Sequence, residues 1–213
     1  MASEPVHASV ANIGGNYYDK HGTSNPVARY LVEGFYGAFD ELLRLSGAKS
    51  LHEVGCGEGV LSIRAAKAGY QVSGTDLEAE TIEDANRRAR AAGLPQLFEQ
   101  RDLYTMEPGA LADVDLAVCC EVLEHLPDPA KALDVLARSG APLVIMSVPR
   151  EPLWRALNIA RLSYLSALGN TPGHLNHWSR SGFISFVGKH FDVLTVRSPL
   201  PWTFVLAKPK SGA

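Results

Sequence analysis

Short apolar runs alternate with longer amphipathic stretches along this chain, and the periods predict its elements. Leu51-His52-Glu53-Val54, Tyr70 to Asp76 and Pro142 to Pro149 read as strands. Asp115-Leu116-Ala117-Val118-Cys119-Cys120 reads as a strand buried on both faces, and Gln96 to Gln100 as a weak one. Helices are predicted between them over Val60–Ala68, Glu78–Ala92 and Ala130–Ser139, the first two closed by Gly69 and by Gly93 with Pro95. Ahead of the first strand, Val27, Tyr30, Leu31, Phe35, Phe39, Leu42 and Leu43 recur at helical spacing. Asn25 is placed to cap that helix and Pro26 to begin it. Gly34 and Gly37 weaken it, which predicts something packed closely against the helix. Strand and helix in strict alternation give a parallel sheet covered on both faces.

The alternation breaks after residue 149. Leu153, Trp154, Leu157, Ala160, Arg161, Tyr164, Leu165 and Leu168 form an apolar stripe, and Gly169-Asn170-Thr171-Pro172-Gly173 ends it. An insertion after a core strand lies at the carboxyl edge of the sheet, where substrate caps sit. Residues 150–178 are therefore read as a helical cap and 1–47 as a lid and helix on one domain spanning 1–213. A helix over Ser179–His190 and two strands, Phe191–Arg197 and Thr203–Ala207, complete the chain.

The first strand runs into Gly55-Cys56-Gly57-Glu58-Gly59 and then a helix, the order that cradles a nucleotide. The dinucleotide fingerprint requires a third glycine where Val60 stands, and the P-loop requires a Gly-Lys-Ser/Thr ending that is absent. The pattern (D/E)-x-G-x-G-x-G fits, with Glu53 as the acid. Asp76 follows Gly55 by 21 residues and ends the second strand. In such a unit that spacing puts a carboxylate beside a ribose. Beyond the fourth strand stands Glu121-Val122-Leu123-Glu124-His125-Leu126-Pro127-Asp128-Pro129.

These three segments resemble the class I S-adenosylmethionine-dependent methyltransferases, in the small-molecule branch that includes the ubiquinone-pathway O-methyltransferases. The resemblance implies a three-layer, Rossmann-like α/β fold with seven strands in the order 3-2-1-4-5-7-6, the seventh antiparallel. It implies that Glu53, Gly55, Cys56, Gly57 and Gly59 surround the methionine part of the cofactor. Asp76 and Leu77 then meet the ribose, Asp102 and Leu103 the adenine, and Glu121 and Val122 the sulfonium. Tyr18, Lys20 and Arg29 are candidate lid contacts. The expected cofactor is S-adenosylmethionine, with S-adenosylhomocysteine as product.

A sulfonium methyl is already electrophilic, so catalysis asks chiefly for alignment and exclusion of water. A hydroxyl acceptor also needs a base. His177 is the first candidate, with His174 and His125 behind it. The segment Gly173-His174-Leu175-Asn176-His177-Trp178 is expected to line the acceptor pocket. A triad of Glu121, Glu124 and His125 is similar to one held to bind a divalent cation in ubiquinone-pathway relatives. At i, i+3 and i+4 it shares a face if helical. Acids here also contact cofactor and cap helices, so no metal is assigned. The expected reaction is methylation of a hydroxyl or amine on a small, partly apolar molecule. The alternatives are a cofactor-binding module without chemistry and a protein-modifying relative.

Composition narrows the partners. The 213 residues are 46% hydrophobic and 20% charged, which suits a chain with a real core. The net charge of −3 and the absence of a long basic run argue against nucleic acid. Arg87, Arg88 and Arg90 read as one solvated helix face. Three cysteines, two of them adjacent, fit no disulfide framework and suit a reducing compartment. No segment has the order of a signal peptide or the length of a membrane span. A cytoplasmic monomer or homodimer is expected.

Overall fold

The computed structural model describes residues 26–160 and 168–211. Its centre is one sheet of seven strands. β1 (Ser50–Val54), β2 (Gln71–Asp76), β3 (Phe98–Gln100), β4 (Leu116–Cys120) and β5 (Val144–Pro149) run parallel, while β7 (Trp202–Pro209) lies antiparallel between β5 and β6 (Phe191–Arg197). The order β3-β2-β1-β4-β5-β7-β6 is the one implied by the methyltransferase resemblance.

The continuous apolar run of β4 has a direct cause. Ala117 and Cys119 enter the core on one face, with Val144, Met146 and Val148 of β5. Leu116, Val118 and Cys120 enter the core on the other face, with Leu51 and Ile145. Both faces of the central strands are dry, so no polar position survives in β4. Each fully buried Leu, Val or Phe contributes about 1.5–3 kcal/mol.

Helices α1 (Pro26–Ser46) and α2 (Val60–Lys67) cover the face of Leu51 and Val118. Helices α4 (Pro129–Arg138) and α6 (Arg180–Val187) cover the opposite one, and α3 (Ala79–Ala91) closes a small cluster around Phe98. Asp128 caps α4 by accepting from the Lys131 N–H, with Pro129 at the first position. Helix α5 (Leu153–Ala160) opens the insertion after β5. The predicted continuation of its stripe over 161–167 lies outside the described residues.

Two expectations change. The helix predicted to reach His190 stops at Val187, with Gly188 after it. The close packing expected against α1 is not centred on its glycines: a Cβ on Gly34 would make an ordinary contact with Pro199 at 3.5 Å, and one on Gly37 would meet nothing within 4 Å. Helix α1 is seated instead by Phe35, whose ring lies edge-on to Trp202 and Phe204 of β7 at 5.0 and 4.8 Å.

Candidate active site

Because β1 to β5 are parallel, the loops after them converge on one edge of the sheet. The loop after β1 is the glycine turn. Gly55, Gly57 and Gly59 all have positive φ, at 71°, 53° and 75°. Their surroundings differ. A Cβ on Gly55 would lie 2.5 Å from Val122, and one on Gly59 would lie 2.6 Å from the Phe98 ring. A Cβ on Gly57 would meet nothing within 4 Å. Two glycines thus serve packing, and the third faces open space.

Glu53 lies beneath this turn at 3% exposure, accepting from the backbone N–H and hydroxyl of Ser62 in α2. Burial pushes its pKa up to about 7, against the bonds from Ser62. Its carboxylate braces the loop to α2. Cys56 is a buried thiol whose pKa burial raises. Asp76 Oδ2 accepts from the Gly57 N–H at 2.8 Å and Oδ1 from the Glu78 N–H at 3.1 Å. The carboxylate is thus tied to the backbone amide of Gly57, and each oxygen keeps further accepting capacity. Leu77 beside it is exposed. Asp102 accepts from the Tyr104 N–H at 2.8 Å and caps a short turn, Leu103–Thr105, in which Leu103 is buried. A cavity of about 460 Å³ lies alongside, lined by Asp102, Tyr104, Thr105, Pro127, Asp128 and Lys131. Tyr18 and Lys20 lie outside the described residues, and Arg29 is exposed on α1.

The loop after β4 holds the densest chemistry. Glu121 adopts φ 58°, a left-handed value unusual for a side chain of its size. Its carboxylate accepts from the Ser147 hydroxyl at 2.9 Å and the Trp202 indole N–H at 2.6 Å. Val122 wedges against Gly55. Leu123–His125 is a 3-10 turn. Glu124 within it is 1% exposed, and neither carboxylate oxygen has a hydrogen-bond partner among the described residues. Burial, with the Glu121 charge adding to it, raises its pKa well above the usual range.

His125 Nδ1 lies 2.9 Å from the Gly173 carbonyl, so that nitrogen carries the proton and Nε2 keeps its lone pair. His174 packs edge-on against His125, 4.9 Å between ring centroids. Burial, and then the neighbouring imidazoles, lower the pKa of His174 to about 4. Glu124, His125 and His174 each offer a ligand atom, and these atoms lie within 4.8 Å of one another.

The triad of Glu121, Glu124 and His125, to which the sequence assigns no metal, is not the group that the structure brings together. It required a helix, but the segment is a strand end followed by a 3-10 turn. Glu121 is held by Ser147 and Trp202, and His174 joins Glu124 and His125 from the insertion after β5.

His177 stands farther out and is exposed. Its Nε2 lies 3.1 Å from Arg155 Nη2 and its Nδ1 3.7 Å from Glu151. Partial burial and the Arg155 charge lower its pKa, with Glu151 opposing. Arg155 and Glu151 escaped the sequence reading because nothing in their spacing ties them to His177. Trp154 of α5 stacks near-parallel on His174 at 5.9 Å and donates its indole N–H to Thr171. This ties α5 to the segment that carries His174. Among the described residues no helix is long and apolar enough to cross a membrane.

A family model described as a methyltransferase domain matches residues 52–145. The chain is 30% identical over 172 residues to the ubiquinone biosynthesis O-methyltransferase of Stutzerimonas stutzeri, covering 73% of this chain and 74% of that one. Against the enzyme of the same name from Methylococcus capsulatus, identity is 29% over 157 residues, 68% of this chain and 66% of the relative. With that of Xanthomonas euvesicatoria only 54% of the relative is spanned. Among solved structures, magnesium protoporphyrin IX methyltransferase from Synechocystis PCC 6803, with bound SAH, superposes with a TM-score of 0.65 at 19% identity, covering 89% of this chain and 90% of that one.

Proposed function

Because this chain belongs to the class I S-adenosylmethionine-dependent methyltransferases, we propose that it methylates a hydroxyl group of a small, partly apolar molecule. The observation that carries the choice of acceptor is the Glu124–His125–His174 cluster. Its first member, Glu124, lies two residues beyond Val122, which itself packs on the glycine turn. An oxygen-binding cluster beside the sulfonium suits a developing oxyanion better than an amine, which attacks unaided as the free base.

A divalent cation fits this cluster. A fully buried carboxylate with both oxygens unpartnered is costly alone, and a cation resolves that cost. The Gly173 carbonyl holds His125 in the tautomer a metal requires. A cation held by Glu124, His125 and His174 would supply Lewis-acid stabilisation of an acceptor oxyanion. The rest falls to the chain. Gly57 leaves room for the cofactor, Asp76 accepts from its ribose hydroxyls, and Glu53 and Ser62 keep the turn rigid. Trp154 gives the acceptor side an apolar wall. His177, kept neutral at pH 7, is the imidazole left to take the acceptor's proton once Arg155 swings from its Nε2. The buried free cysteines suit a cytoplasmic enzyme.

The test is conversion of S-adenosylmethionine to S-adenosylhomocysteine with catechols, phenols and primary amines, each with and without Mg²⁺. Turnover confined to hydroxyl acceptors and lost on chelation is expected. Turnover with amines alone would overturn the reading.

A further inference from the structure

The cation cluster is built from two segments about 50 residues apart, so something must hold them in register. Turn 123–126 carries Glu124 and His125; strap 173–176 carries His174. Five hydrogen bonds join them. His125 Nδ1 donates to the Gly173 carbonyl at 2.9 Å. The backbone N–H groups of Leu175 and Asn176 both donate to the Glu124 carbonyl, at 2.8 and 3.0 Å. The Asn176 side-chain amide donates to the Leu123 carbonyl at 3.2 Å and the Leu126 carbonyl at 2.7 Å.

The last pair is distinctive. Leu123 and Leu126 bracket the two turn ligands, so one planar amide grips the turn on both sides of them. The other three bonds come from the backbone or from a ligand itself. Asn176 offers no ligand atom, yet its Cα lies two residues from that of His174. An amide is the group that fits: it presents two N–H donors at a fixed angle, and both targets are acceptors.

We propose that Asn176 is a positioning residue that sets the spacing of Glu124 and His125 from His174, and hence the affinity of the site for a divalent cation. The inference rests on the cation reading given above. Removing such an outer partner of a metal site typically costs about 10–100-fold in metal affinity.

The experiment measures Mn²⁺ binding by calorimetry and by electron paramagnetic resonance on the full chain, beside S-adenosylhomocysteine affinity. Wild type, Asn176→Ala and Asn176→Leu are compared, leucine keeping the volume but donating nothing. Wild type should bind Mn²⁺, and both variants should bind it about 10–100-fold more weakly with nucleoside affinity unchanged. Wild-type Mn²⁺ affinity in both variants would overturn the inference and leave the cation reading standing. So would an Asn176→Leu variant that binds normally, since volume alone would then suffice. Parallel loss of nucleoside affinity would reduce Asn176 to a general prop of the fold and overturn its specific role. A wild-type protein that binds no Mn²⁺ would overturn both readings.

Discussion

Alanine at each glycine of the turn separates packing from ligand space. All three positions have positive φ, so each substitution carries the left-handed penalty, about 1–2 kcal/mol. At Gly57 nothing adds to it, because the new methyl would point into open space. For a chain of this length each 1 kcal/mol lowers the melting temperature by about 2–4 °C. At Gly55 and Gly59 the methyl would collide with Val122 and Phe98. Overpacking adds about 1–3 kcal/mol to the backbone penalty at both. Thermal unfolding should therefore rank Gly57→Ala as the mildest of the three. Calorimetric titration with S-adenosylhomocysteine should invert the rank. Gly57→Ala should lose at least about tenfold in affinity, or 1.4 kcal/mol, and Gly57→Val should abolish binding. If Gly57→Val binds S-adenosylhomocysteine as wild type does, the open space is not ligand space and the cofactor assignment of this loop is wrong.

Asp76→Ala should weaken S-adenosylhomocysteine by about 1–3 kcal/mol, the range for hydrogen bonds to a charged partner; unchanged calorimetric affinity would remove Asp76 from the ribose site. His52 is buried between Ser73 and Thr75, and burial, with the Arg101 charge adding to it, holds its pKa down to about 4. The unfolded chain protonates this imidazole below about 6.5 while the folded one resists, so its contribution is complete above that pH and fades toward pH 4, by about 3 kcal/mol. Denaturant titrations of His52→Asn should show the wild-type advantage shrinking over that window, and a pH-independent difference would refute the assignment. His177→Ala should lower turnover about 10²–10⁴-fold with an accepted hydroxyl substrate while sparing cofactor affinity; wild-type turnover would leave alignment alone to carry the step.

The fold was legible because its signals are local. Period and punctuation marked every strand, and the double burial of β4 was written in its uninterrupted apolar run. The glycine turn and Asp76 were legible for the same reason: one βαβ unit fixes their separation, and the Asp76–Gly57 hydrogen bond realises it. Glu53 shows the limit. The motif marks the acid but not its direction, and the carboxylate goes down to Ser62 rather than being left open in the loop. A glutamate at the end of a buried strand has few donors within reach, and the first turn of α2 supplies the nearest.

The cluster of Glu124, His125 and His174 shows why the rest was not legible. Glu124 and His125 are neighbours in sequence, but their third partner lies in the insertion after β5, and no period links residue 125 to residue 174. Helical spacing favoured Glu121, yet the left-handed backbone at Glu121 turns the chain before a helix can form. Its carboxylate is then claimed by Ser147 on β5 and Trp202 on β7, strands that meet only through the antiparallel closure of the sheet. The same closure brings Trp202 to 5.6 Å from Trp154, whose ring stacks on His174. The reversal of β7 thus takes Glu121 out of the cluster and backs the wall that brings His174 into it. A change at Trp202 should therefore reach both. Trp202→Phe keeps an aromatic ring but removes the indole N–H, taking one of the donors from Glu121 while Ser147 still holds it, and leaves most of the wall. It should alter the site chiefly through Glu121, whereas Trp202→Ala should also loosen His174.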